Sequence, residues 1–116
     1  MSAPRVVIFG YHDMGVLGLR VCLAQGADVA AVVTHADDPG ERVWFESLAA
    51  RAREAGIPVL LPPPARGAEL LRAVRALQPD LIFSFYYRRL LPPALLEAPR
   101  LGAINLHGSL LPRYRG

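Results

Sequence analysis

An asparagine and a histidine have the residue types and the spacing to act on a carbonyl group. Asn105 and His107 are two residues apart in a segment that begins as an apolar strand, so both side chains can face one ligand. An amide can donate hydrogen bonds to a developing oxyanion, and an imidazole can transfer protons near neutral pH. Gly108 permits close approach of the ligand. Two polar residues that merely close a strand end are the non-catalytic alternative, and spacing alone leaves both interpretations open.

The first glycine-rich turn is a weaker candidate for a binding site. Its glycines stand at positions 10, 15 and 18, which is not the spacing of a dinucleotide-binding loop. We therefore expect a tight turn with Asp13 as the helix N-cap, and no nucleotide cofactor there.

The residue types that bind metals or act as nucleophiles do not cluster in the sequence. His12, His35 and His107 are far apart, and Cys22 has no second cysteine at ligand spacing. Ser109 is not in the Gly-x-Ser-x-Gly context of a hydrolase nucleophile. The sequence therefore predicts no metal site and no serine triad.

Apolar strands that alternate with helices must position the Asn105–His107 pair. Short apolar segments predict five strands, and helical spacing of apolar residues predicts four helices between them. Strands that are apolar throughout indicate a parallel sheet covered on both faces, so we expect a Rossmann-like open α/β sheet. Ligands bind such sheets beyond the carboxyl ends of the strands. The predicted strands are 5–10, 29–33, 59–61, 81–85 and 103–106, and the predicted helices are 14–24, 44–55, 69–77 and 92–97.

Length and composition favour one domain, residues 1–116, of a cytoplasmic protein. Apolar residues make up 53% of the chain and charged residues 20%, which is typical of a folded globular domain. A single cysteine suits a reducing compartment, and neither a targeting segment nor a membrane-spanning apolar run is visible. The net charge is +3, and residues 88–116 are rich in arginine. This favours an anionic small molecule over nucleic acid, because the arginines form no dense basic run.

The segment 105–116 resembles the signature of the formyltransferases that use 10-formyltetrahydrofolate. The segments 9–15, 34–41 and 83–88 are similar to the ArnA branch of that family. This resemblance implies a Rossmann-like formyltransferase fold and formyl transfer to the 4-amine of UDP-4-amino-4-deoxy-L-arabinose. That reaction belongs to the modification of lipid A that gives resistance to polymyxin and other cationic peptides.

The same resemblance implies roles for individual residues. Asn105 would stabilise the formyl oxygen, His107 would exchange protons, and Arg89, Leu90 and Leu91 would line the folate pocket. The family completes its site with an aspartate further along the chain. We therefore expect residues 1–116 to be the N-terminal part of a catalytic domain, inactive alone, in a full-length protein that could be a homo-oligomer.

Two other functions fit the sequence. The chain could belong to a methionyl-tRNA formyltransferase or to an enzyme that formylates another sugar nucleotide at the same folate site. It could also be a non-catalytic α/β module that binds a small anion or a partner.

Overall fold

The fold is an alternating series of five strands and four helices. The computed structural model describes residues 3–34, 47–61, 67–85 and 93–106. The strands confirm the sequence prediction to within one residue at each end. The elements in chain order are β1 (Arg5–Gly10), α1 (His12–Ala24), β2 (Asp28–Val33), α2 (Leu48–Glu54), β3 (Val59–Leu60), α3 (Gly67–Ala76), β4 (Leu81–Phe85), α4 (Pro93–Leu96) and β5 (Ala103–Leu106).

The strands form one parallel sheet in the order β3-β2-β1-β4-β5. The chain moves outward from β1 through β2 to β3, and then returns to place β4 on the other side of β1. The direction of winding therefore reverses between β1 and β4, which is the switch point where open α/β sheets bind ligands. The predicted Rossmann-like parallel sheet is confirmed.

Helices cover both faces of the sheet because the central strand is apolar on both sides. Val6 and Ile8 of β1 pack in one buried cluster with residues of α1 and α2, such as Val16 and Leu48. The intervening side chains of β1 pack in a second cluster with Val74 of α3 and residues of α4. Alternate residues of a strand point to opposite faces, so one apolar strand contributes to two cores.

A bulge in β2 changes which of its side chains face each helix layer. Val6 pairs with Val29, but the next residue of β1 pairs with Ala31, so Ala30 is skipped in the register. As a result Val29 and Val32 both lie in the cluster beneath α1 and α2. The bulge could not be predicted from the sequence, because all residues of this strand after Asp28 are apolar.

All four helix starts differ from the sequence prediction: α3 begins at Gly67 rather than 69, α4 at Pro93 rather than 92, and α1 and α2 differ as follows. Helix α1 begins at His12 rather than at 14, and its N-cap is Tyr11, without a side-chain cap, rather than Asp13. Tyr11 keeps the extended backbone of β1 while its carbonyl accepts a hydrogen bond from the Gly15 N–H at 3.2 Å. The chain therefore passes from strand to helix without the separate turn that the prediction placed there.

Helix α2 was predicted from residue 44, but Ser47 is its extended N-cap residue. The Ser47 hydroxyl accepts a hydrogen bond from the backbone N–H of Ala50 at 3.1 Å. This bond satisfies one of the amide groups that have no partner within the first helical turn. Residues 44–46 lie outside the described residues.

Hydrogen bonds of Asp80, which directly precedes β4, link the starts of β1, β4 and β5 at the amino edge of the sheet. Its carboxylate accepts hydrogen bonds from the Arg5 backbone N–H at 2.8 Å and from Nε of Arg100 at 3.1 Å. Its backbone carbonyl accepts from the N–H of Leu101 at 2.7 Å. The bond from the Arg5 N–H, followed by that from the Arg100 side chain, lowers the pKa of Asp80. This edge is opposite to the one expected to bind ligands.

Candidate active site

The carboxyl ends of β1, β4 and β5 lie side by side. Gly10 at the end of β1 is in register with Phe85 at the end of β4, and Phe85 is in register with Leu106 of β5. The first glycine-rich turn follows the end of β1, the proposed folate-pocket residues 89–91 follow the end of β4, and His107 follows the end of β5. The strand order therefore brings the starts of those segments to one edge, next to the switch point.

Asn105 is the predicted catalytic residue that the structure describes. It lies on β5, one residue before the strand ends, and its side chain is exposed. Its register partner on the neighbouring strand is Ser84. An exposed amide at the carboxyl edge of the sheet is in a position to contact a ligand that binds beyond the strand ends.

Ser84 was not singled out by the sequence analysis. It is 4% exposed and lies in register between Phe9 of β1 and Asn105 of β5. Phe9 and Ile82 belong to the cluster beneath α3 and α4, so strand alternation places Ser84 on that face. The signal in the sequence was a single hydroxyl in an otherwise apolar strand.

The glycines of the first turn serve close packing of α1 on the sheet. A Cβ on Gly18 would lie 2.4 Å from Cε2 of Phe85, and a Cβ on Gly15 would lie 2.7 Å from Cδ2 of Leu48. The Phe85 ring therefore occupies the space that the missing side chain of Gly18 leaves open. This contact joins α1 to the end of β4, from which the segment predicted to bind folate continues.

Several predicted site residues lie outside the described residues. These are His107, the second proposed catalytic residue, and the three proposed folate-pocket residues, Arg89, Leu90 and Leu91. The structure does place the residue preceding His107, because β5 extends to Leu106.

Cys22 is a packing residue of the core rather than a nucleophile. Its side chain is buried in the cluster with Val6 and Leu19. Burial raises the pKa of the Cys22 thiol, so the thiol stays protonated near neutral pH. A thiolate is the form needed for attack or for metal binding.

The described ranges contain neither a metal-binding cluster nor a membrane-spanning helix. Among these residues no group of three or more His, Cys, Asp or Glu side chains could hold a metal ion. In the same part of the chain no helix is both long and apolar enough to span a bilayer.

The sheet order and the polar side chain at its carboxyl edge define a doubly wound α/β protein with a candidate site at the switch point. The chain belongs to the formyl transferase family, whose model matches residues 6–116.

Several solved structures with a similar fold are named as enzymes that act on formyl groups. Glycinamide ribonucleotide transformylase 1 from Symbiobacterium toebii is 26% identical with a TM-score of 0.72, and the match covers 98% of this chain and 56% of that one. Phosphoribosylglycinamide formyltransferase from Coxiella burnetii is 25% identical with a TM-score of 0.71, covering 100% of this chain and 56% of that one. Formyltetrahydrofolate deformylase from Burkholderia mallei is 22% identical and shares the fold, with a TM-score of 0.70. The match covers 99% of this chain and 41% of that one.

These findings confirm the formyltransferase family and its fold. The chain spans 56% of the length of the two transformylases that it matches, so the activity of the whole protein is a matter for proposal. The names of these similar structures do not include the ArnA branch, and the acceptor is likewise a matter for proposal.

Proposed function

We propose that the full-length protein transfers a formyl group from 10-formyltetrahydrofolate to an amine. The observation that carries this proposal is the exposed amide of Asn105 at the carboxyl end of β5, beside the end of β4, in a chain of the formyl transferase family. Family membership also agrees with 10-formyltetrahydrofolate as the formyl donor.

In the proposed reaction, the nitrogen of the acceptor amine attacks the formyl carbon on N10 of the folate. The carbonyl becomes an oxyanion, and the Asn105 amide donates a hydrogen bond to it. His107 takes the proton that the amine loses and delivers it to N10 as the bond between N10 and carbon breaks. The products are the formamide and tetrahydrofolate, with no net proton exchange.

Arg89, Leu90 and Leu91 are proposed to line the folate pocket. They follow β4, whose end lies between β1 and β5. Leu90 and Leu91 would pack against the pterin ring, and backbone groups there would bond its polar edge. A donor held beyond the end of β4 would meet Asn105 on the adjacent strand.

The proposed acceptor is the 4-amine of UDP-4-amino-4-deoxy-L-arabinose, in the cytoplasmic pathway that modifies lipid A. The segments 9–15, 34–41 and 83–88 support this choice by their resemblance to the ArnA branch. The arginines of residues 88–116 suit an acceptor that carries phosphate groups.

Glycinamide ribonucleotide is a second candidate acceptor. The two solved structures at 25% and 26% identity are named for that substrate. It is also an amine that carries a phosphate group, so the basic segment does not separate it from the sugar nucleotide.

A direct assay tests the proposal and separates the acceptors. The full-length protein is incubated with 10-formyltetrahydrofolate and, separately, with UDP-4-amino-4-deoxy-L-arabinose, glycinamide ribonucleotide or methionyl-tRNA, and products are identified by mass spectrometry. Formylation of the sugar nucleotide alone is expected. Formylation of another acceptor would overturn the choice of acceptor, and no formylation of any would overturn the reaction.

A further inference from the structure

We propose that Ser84 is a positioning residue for Asn105, whose hydroxyl fixes the orientation of the Asn105 amide when the formyl donor is bound. This inference rests on the proposed formyl transfer, because it gives Ser84 a role through the group that would stabilise the oxyanion. The observation behind it is the juxtaposition of a buried serine and an exposed asparagine on neighbouring strands.

The sheet register places the two residues next to each other. Ser84 of β4 and Asn105 of β5 are Cα partners in a parallel pair, and in-register residues of adjacent strands point to the same face. The next pair on the same face of the sheet is Ile82 with Ala103, in which both residues are apolar. Among the described pairs of β4 with β5, Ser84 and Asn105 form the polar one.

The surroundings of Ser84 give no packing reason for a hydroxyl. Ser84 is 4% exposed and lies on the face that it shares with Phe9 and Ile82, both fully buried. A buried hydroxyl is costly unless it makes a hydrogen bond. An alanine or valine would suit the apolar cluster better, and the polar side chain in register with Ser84 on the neighbouring strand is that of Asn105.

The chemistry of the two side chains sets the direction of the proposed bond. A carboxamide has an oxygen that accepts and an NH2 group that donates, and the two differ by a rotation of the amide. When the Ser84 hydroxyl donates to Oδ1 of Asn105, the NH2 group lies on the side of the amide away from that bond, where it can donate to another acceptor. That orientation presents N–H donors to a formyl oxygen, whereas the rotated amide would present a second oxygen and repel the oxyanion.

A comparison of three β4 variants of the full-length protein tests the role. Ser84→Ala is expected to lower kcat about tenfold, less than complete loss of an oxyanion donor (about 10²–10³), with little change in KM for the donor and no loss of Tm. Ser84→Thr keeps the hydroxyl and is expected to restore most of kcat. Ile82→Val is the matched control on the same strand and face, and is expected to lower Tm and leave kcat unchanged.

A double mutant distinguishes positioning from a general effect on the sheet. In the Asn105→Ala background, Ser84→Ala should cause no further loss of kcat, because the group that it orients is gone. Losses that multiply would overturn the inference, and so would a kcat for Ser84→Ala equal to that of the wild type.

A measurement without turnover separates this inference from the proposed reaction. The side-chain NH2 resonances of Asn105, assigned by their absence in Asn105→Ala, are recorded with 10-formyltetrahydrofolate and no acceptor. Ser84→Ala should shift and broaden them, while Ile82→Val should not. Unchanged resonances in Ser84→Ala overturn the positioning role. If Ser84→Ala shifts the Asn105 resonances but the wild-type protein formylates no acceptor, the positioning role is supported and the proposed reaction fails.

Discussion

At the scale of single residues, the site depends on a polar side chain that is not part of the buried clusters of the fold. Asn105 is exposed on β5, so it contributes little to the buried clusters on either face of the sheet. A residue that can be removed without unfolding the protein allows its chemical role to be measured separately from its structural one.

Replacing Asn105 tests its role as the oxyanion donor. Asn105→Ala should lower kcat about 10²–10³-fold, because one hydrogen bond to the developing negative charge is lost. Tm should change little, since the side chain is exposed. Steady-state kinetics and thermal unfolding of the full-length protein measure both.

Asn105→Asp is the matched variant, of nearly the same size as the wild-type residue. It should lower kcat further than alanine does, because a carboxylate repels the oxyanion. Equal activity of the aspartate variant and the wild type would contradict an oxyanion role.

At the scale of elements, the helix α1 and the strand β4 are joined by a contact that permits no extra atom at Gly18. Gly18→Ala would place a Cβ 2.4 Å from the Phe85 ring. Overpacking costs about 1–3 kcal/mol, which exceeds the roughly 0.5–1 kcal/mol that alanine gains over glycine within a helix. The variant should therefore be less stable in urea unfolding of the full-length protein.

Gly15→Ala and a double mutant provide the controls for that prediction. A Cβ on Gly15 would lie 2.7 Å from one atom of Leu48 and 3.3 Å from the Gly10 backbone, whereas one on Gly18 would lie within 2.7 Å of three Phe85 ring atoms, so Gly15→Ala should be less destabilising. Phe85→Leu should recover part of the stability lost in Gly18→Ala by removing the ring. If Gly18→Ala is as stable as the wild type, packing of the Phe85 ring does not require the space left by the missing side chain of Gly18.

Asp80 should make the stability of the sheet depend on acid pH. Its pKa is lowered in the folded protein by the Arg5 N–H and by Arg100. A lowered folded pKa means that the stabilisation is fully present above the unfolded value, about 3.9, and is lost as the pH falls through the lower folded value. Asp80→Asn should therefore be less stable than the wild type at neutral pH, with a difference that shrinks below about pH 4.

Asp28→Asn is the control for the effect of Asp80. Asp28 lies 3.6 Å from Nε of Arg5 in an exposed ion pair, and exposed pairs contribute little to stability. Urea unfolding across pH 3–7 should show little change for this variant. If the difference in free energy of unfolding between Asp80→Asn and the wild type does not vary with pH, the stabilising role of the ionised Asp80 carboxylate is contradicted.

The elements also show which features the sequence could predict. Strands β1, β4 and β5 were predicted to the residue, because each is a short apolar segment bounded by glycine, proline or polar residues. The start of α1 was wrong because Tyr11 continues the strand into the helix without a turn residue. The bulge at Ala30 leaves no signal in a uniformly apolar strand.

At the scale of the whole molecule, the candidate site depends on strand order, which local patterns do not specify. Asn105 was found from its type and spacing, but Ser84 becomes its neighbour only because β4 lies between β1 and β5 and pairs with β5 in one register. Ser84 pairs with Asn105, 21 positions later in the chain, and with Phe9, 75 positions earlier. A sequence pattern shows which residues alternate within a strand, but not which strand lies beside it.

The open edge of the sheet predicts how residues 1–116 should behave when expressed alone. β5 is an edge strand, Ile104 is 55% exposed, and the preceding Leu101 is 57% exposed. Exposed apolar side chains beside the last strand of the described sheet favour association. We therefore expect the 116-residue polypeptide to bind a hydrophobic dye and to self-associate, and to transfer no formyl group.

The full-length protein is the reference for that prediction, measured at equal molar concentration by dye fluorescence, sedimentation and formyl transfer. Ile104→Thr in the 116-residue polypeptide is the matched variant, because it keeps the β-branched shape while adding a polar group at an exposed position. It should lower dye binding and self-association without restoring transfer. Formyl transfer by the unmodified polypeptide at the rate of the full-length protein would show instead that residues 1–116 contain the complete site.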